Sequence, residues 1–114
     1  MAFSGVHAIC GFVGGDGFSK SPSLSTTMPV ICKPVWSEAP STGVTSTNVA
    51  PAGSSNGAAC RTGQPMMRFR ASADSWVSVG STPDATSGTR FLVPSDTDYD
   101  VYVEAGDKFQ WIAA

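Results

Sequence analysis

The chain has 114 residues and a formal net charge of -2, with a pI near 5.0, which is room for one small domain and no second. Charged residues make up 14%, against roughly 25% in an average domain, while 12 Gly and 8 Pro are spread along the whole length. A helix of ordinary length, ~11 residues, finds almost nowhere to sit, so an all-α protein is excluded.

Seven basic residues face nine acidic ones, which argues against a nucleic-acid partner held by bulk positive charge. No apolar run approaches the ~18 residues of a membrane-crossing helix, and no membrane partner is expected. Residues 1–14 (MAFSGVHAICGFVG) are apolar, yet no Lys or Arg precedes Lys20 and Gly5, Gly11 and Gly14 interrupt the run. A secretory signal is therefore not expected.

In chain order, residues 6–13 are a candidate strand, Gly14-Gly15-Asp16-Gly17 a turn, and residues 19–27 a Ser-rich stretch. The Gly and Ser content of residues 1–27 reads as an extended N-terminal arm with the option of adding a strand, ahead of a β-sandwich domain over residues 28–114. Residues 28–36 (MPVICKPVW) are β-branched and apolar but hold Pro29 and Pro34, which cannot donate to a ladder, so they read as an edge strand or part of the arm. Residues 42–49 alternate as a strand would, residues 51–57 (PAGSSNG) read as a polar turn, and residues 60–63 as a brief pairing segment.

Residues 66–79 (MMRFRASADSWVSV) are the longest run without Gly or Pro. Met67, Phe69 and Ala71 alternate with Arg68, Arg70 and Ser72, and after Ala73-Asp74 comes a β-branched and aromatic run, so two strands joined by a tight turn are predicted. Residues 80–88 (GSTPDATSG) read as a loop with Pro83-Asp84 at the centre of a type I turn. Short strands follow at residues 90–93, 97–104 and 108–112, the middle one with Tyr99, Val101 and Val103 on one face and Asp98, Asp100 and Tyr102 on the other. The expectation is an all-β sandwich or barrel of short antiparallel strands, the last five in a meander.

Chemistry-bearing motifs are sparse. Cys10, Cys32 and Cys60 are odd in number and widely spaced, so no disulfide framework can use them all, and each sits among small or apolar residues as a buried thiol does. With the one histidine, His7, they lack the paired spacing of a structural zinc site; no cofactor or metal is expected. There is no G-x-S-x-G elbow and no P-loop, so no catalytic residue is assigned. Asp96, Asp98 and Asp100 begin like an EF-hand loop, but Val101 stands where Gly is needed and Asp107 where Glu is needed, which leaves them as the solvated face of a strand. Most aromatic side chains are expected in the core. For a partner interface the candidates are Phe3, Phe12, Phe18 and Trp36, which lie in or just after the Gly-, Ser- and Pro-rich arm, together with Arg68 and Arg70 on one strand face.

The C-terminal half carries a resemblance. Residues 75–86 (SWVSVGSTPDAT), then 91–94 (FLVP), then 99–112 (YDVYVEAGDKFQWI) are similar to small β-rich virion proteins of tailed bacteriophages, over about residues 66–114. The resemblance implies a structural, non-catalytic protein of the capsid surface, made in the bacterial host cytoplasm. The type it points to first is a decoration or cement protein that binds the major capsid protein and neighbouring copies of itself, stabilising the icosahedral head. Alternatives are another small virion component, a carbohydrate- or receptor-binding module with exposed aromatics, and a small enzyme dependent on His7.

Overall fold

The computed structural model describes residues 3–12, 31, 34–52 and 65–114. Among them there is no helix and there are seven strands: β1 (Val6–Phe12), β2 (Trp36–Glu38), β3 (Pro65–Ala71), β4 (Ser75–Gly80), β5 (Phe91–Val93), β6 (Tyr99–Tyr102) and β7 (Lys108–Ala113). They make two antiparallel sheets, one in the order β2-β1-β3-β6 and the other β5-β4-β7. The all-β sandwich expected from composition and periodicity is present.

Alternation explains which face each strand buries. In the larger sheet, Val6, Ala8 and Cys10 of β1, Met67, Phe69 and Ala71 of β3, and the half-buried Val101 of β6 point inward; in the smaller one, Val77, Val93 and Phe109 do. The sheets meet through aromatic side chains. Phe69 lies 5.2 Å from Phe109 in an edge-on contact and 5.9 Å from Phe91, spacings at which ring pairs add to the gain from burial alone.

Three expectations change. The five C-terminal strands do not form a meander. The tight turn after β3 carries β4 into the opposite sheet, β5 stays beside β4, β6 returns to β3, and β7 crosses again to β4. Two sheets that must bury one face each against the other achieve this by alternating chain segments between them.

Residues 42–49 alternate in sequence but form no strand. They run along the outer edge of β7 with strand-like but interrupted pairing: Gly43 N–H donates to Trp111 C=O (2.8 Å), Ser46 N–H to Phe109 C=O (2.7 Å) and Ala50 N–H to Asp107 C=O (2.8 Å). At the centre a side chain replaces a backbone acceptor, since Phe109 N–H donates to the Ser46 hydroxyl (3.0 Å) rather than to a carbonyl.

The N-terminal arm changes in part: the candidate strand over residues 6–13 is present as β1, and it belongs to the sandwich rather than lying ahead of it. Val6–Phe12 lies between β2 and β3 in the interior of the larger sheet, where it pairs with β3 from Val6 opposite Ala71 to Phe12 opposite Pro65. Its inward side chains Val6, Ala8 and Cys10 are apolar and fully buried, so burying them outweighs leaving an arm free. Residues 13–27 of the arm, together with Phe18, Cys32, Cys60, the Gly14-Gly17 turn and residues 60–63, lie outside the described residues.

Candidate functional site

The two flanks of the sandwich are built differently. On one flank, residues 39–50 bridge the sheets. The Glu38 carboxylate accepts from Thr47 N–H (2.8 Å), Asn48 N–H (3.0 Å) and the Asn48 amide (2.9 Å). Burial works against the charge on Glu38, but these donors outweigh it and hold the carboxyl below its ordinary range. Trp36 Nε1–H donates to Val49 C=O and Trp111 Nε1–H to Pro40 C=O, each at 2.8 Å, and the Trp36 ring stacks parallel to Phe109 at 6.4 Å. Two indoles and one carboxylate thus tie the loop across this side.

The opposite flank has no such strap among the described residues. There β5 and β6 are the end strands of their sheets, and they are neighbours, since Phe91 stacks on Tyr99 at 4.9 Å and 18°. Leu92, Tyr99 and Tyr102 are exposed along it, Tyr102 at 61%.

The backbone of β6 has a definite phase. Val103 N–H donates to Pro65 C=O (3.1 Å), so in an antiparallel ladder Tyr99, Val101 and Val103 turn their backbone groups toward β3, and Asp100 and Tyr102 turn theirs outward. No described hydrogen bond reaches the backbone of Asp100 or Tyr102.

Above this edge, on the outer face of the larger sheet, the charges are ordered in rungs. Arg68 sits opposite Asp100 and meets its carboxylate through Nε (2.7 Å) and Nη2 (3.1 Å), a two-pronged contact. That hydrogen bonding, working against burial, holds the guanidinium still more firmly protonated than usual. One rung along, Arg70 reaches Asp98 at 3.1 Å, with both side chains about half exposed. The Arg68 and Arg70 grouping expected from sequence is therefore matched within the chain, and its partners are the acidic residues of β6 and the segment just before it.

The remaining interface candidates separate. Phe12 is 3% exposed, so its ring is taken by the fold and it cannot anchor a partner, a correction that follows from β1 being an inner strand. Trp36 is committed to the strapped flank. Phe3 is 45% exposed and stands edge-on to His7 at 6.1 Å. Phe18 lies outside the described residues. The feature that sequence reading missed is the open edge of β6; the alternation of Asp98, Asp100 and Tyr102 marked a solvated face, but strand order within a sheet is not encoded in the periodicity of one strand.

On the outer face of the smaller sheet, Leu92, Trp76 and Ile112 stand opposite one another in a row across three strands. The Arg90 guanidinium lies 4.3 Å over the Trp76 ring and donates to Ala85 C=O (3.0 Å), which occupies the aromatic surface a sugar would stack on. Among the described residues no three His, Cys, Asp or Glu side chains come together as metal ligands would. Comparison with protein-family models, with curated proteins and with solved structures finds no match.

Proposed function

We propose that this domain is a structural component of a bacteriophage particle, a decoration or cement protein that binds the major capsid protein at the head surface and stabilises the shell. Beside the resemblance of residues 66–114, the observation that carries this reading is the asymmetry of the sandwich. One flank is strapped by residues 39–50, and the other presents two adjacent sheet edges with Leu92, Tyr99 and Tyr102 exposed along them.

A cement protein needs a rigid body with one adhesive side. A sheet edge supplies affinity through backbone pairing, and the apolar and aromatic side chains around it supply contact area. Low overall charge fits attachment of this kind, which does not rest on long-range attraction.

The test is electron microscopy of the particle encoded together with this chain, prepared with the gene intact and deleted. The expected result is density for the sandwich on the outer shell of the intact particle only, with earlier DNA release on heating when the gene is deleted. Intact particles that lack the chain would overturn the reading. Binding of the isolated protein to a glycan array would favour the carbohydrate-recognition alternative.

A further inference from the structure

We propose that the outward edge of β6 is a strand-addition site for an extended segment of a partner polypeptide with basic residues at alternate positions. It names the site through which attachment to a particle would run and rests on that reading for the partner's identity, though not for the binding itself.

Asp100 and Tyr102 present their backbone N–H and C=O groups away from β3 with no partner among the described residues. An edge of this sort is a template for another strand unless something blocks it. The usual blocks are Pro, a bulge, an inward-pointing charge or a covering loop. No proline lies between Tyr99 and Tyr102, the β3–β6 register runs without interruption from Met66 opposite Tyr102 to Phe69 opposite Tyr99, and the inward residue Val101 is apolar.

Charge selects the occupant. The outer-face side chains along this edge are Asp98, Asp100 and Tyr102, with Asp96 and Glu104 beyond them. Arg68 and Arg70 each answer one aspartate from the inner side, and among the described residues no further basic side chain pairs with these aspartates. A second copy of β6 laid antiparallel would set Asp100 against Asp100, or Asp98 against Asp100, or Asp98 against Glu104, according to register. Like charges directly opposite are destabilising in every one of these. A strand with Lys or Arg at alternate positions instead places its cations beside Asp98 and Asp100 and sets its small apolar residues beside Tyr99 and Val101.

The experiment uses the full chain, isotopically labelled, titrated with two blocked heptapeptides, Lys-Val-Lys-Val-Lys-Val-Lys and Glu-Val-Glu-Val-Glu-Val-Glu, and followed by amide shifts and hydrogen exchange. The basic peptide is expected to shift and protect the amides of Asp100 and Tyr102, with affinity lost at 0.5 M salt, and the acidic peptide to leave them unchanged. Asp98→Lys is expected to weaken the basic peptide about tenfold and to admit the acidic one, a reversal that a change in folding would not produce. Tyr102→Pro removes an outward N–H together with the Tyr ring and should lose binding of the basic peptide.

Equal response to both peptides, or none at millimolar concentration, overturns the proposal. So does concentration-dependent dimerisation of the unliganded chain that protects the same two amides, since the occupant is then a second copy. The particle experiment reads a different quantity, so peptide binding without shell density, or shell density without peptide binding, tells which of the two readings has failed.

Discussion

Cys10 is a thiol without water around it, fully buried on β1 with Ala8 and Val6. Burial pushes its pKa up to about 11, because a thiolate in apolar surroundings loses its hydration. In the unfolded chain the same thiol ionises near ~8.5. Between those values the unfolded state gives up a proton that the folded state keeps, so stability is complete at lower pH and falls as pH rises, by on the order of 3 kcal/mol in all. Urea unfolding of the native chain and of Cys10→Ala at pH 8 and pH 10.5 checks this, the fall being smaller in the variant. Glu38 has the opposite sign. Its carboxyl is held below the ordinary range, so its contribution is present above ~4.3 and is lost as pH falls through the lower folded value. Glu38→Ala should cost about 1–2 kcal/mol at pH 7, read from the urea midpoint, and the difference should shrink at pH 3.

Among the elements, the loop between β4 and β5 is organised around Asp84, with Gln110 and Arg90 holding Ala85 beside it. Asp84 N–H donates to the Ser78 hydroxyl (3.1 Å), while the Asp84 carboxylate accepts from the Ser87 hydroxyl (2.8 Å) and from the N–H groups of Ser87 and Thr86; these bonds hold it below its ordinary range. Gly88 N–H closes the turn on Asp84 C=O at 2.9 Å, and a Cβ on Gly88 would stand 2.8 Å from that same oxygen. Gly88→Ala should therefore open the turn and lower stability by about 1–3 kcal/mol, with loss of protection at the Gly88 amide in hydrogen exchange. A loop over residues 80–88 was legible in the sequence, as were β3 and β4, because local chemistry and one-faced burial specify each of them, although its turn is centred on residues 85–87 rather than on Pro83-Asp84. What was not legible depends on residues far apart. Thr42 to Val49 alternates as a strand does, but Ser46 spends its hydroxyl where a ladder needs a carbonyl. The alternation of Asp98, Asp100 and Tyr102 revealed a wet face without revealing that β6 ends its sheet. Arg68 and Arg70 stood out as a pair; their matching aspartates, about thirty residues away, became visible only once β6 was laid beside β3.

For the whole molecule, the placement of β1 decides what can be removed. All seven of its residues pair with β3 and three of them, Ala8, Ile9 and Cys10, pair with β2 as well, and its inward side chains complete the core around Phe69. A chain lacking residues 1–27 loses an inner strand, leaving β2 without its neighbour and the inner face of β3 open to water. The expected result is an unfolded chain by circular dichroism and one-dimensional NMR; a folded product with native unfolding midpoint would show that the remaining strands close without β1. The start of β1 is also tied down by conformation. Gly5 has φ of +100°, donates its N–H to the Ser72 hydroxyl and accepts from Ser72 N–H, both at 2.9 Å, so the head of β1 is pinned at the turn where β3 hands over to β4.

That pairing has a consequence in time. Phe12 finds Pro65 and Val6 finds Ala71, partners more than fifty residues apart along the chain, so the larger sheet cannot close until most of the polypeptide is available. The entropy of drawing such distant segments together is spent before any contact rewards it, and domains dominated by pairings of this kind fold on the millisecond-to-second scale rather than in microseconds. The hairpin of β4 and β5 is local by comparison and is the natural first structure. Stopped-flow refolding should show the fluorescence of Trp76, which lies on that hairpin, changing ahead of Trp36, which reports the completed flank, when each is retained alone with the other two tryptophans replaced by Phe. Simultaneous changes would mean that the two sheets condense in one step and that the long loop closure sets the pace of both.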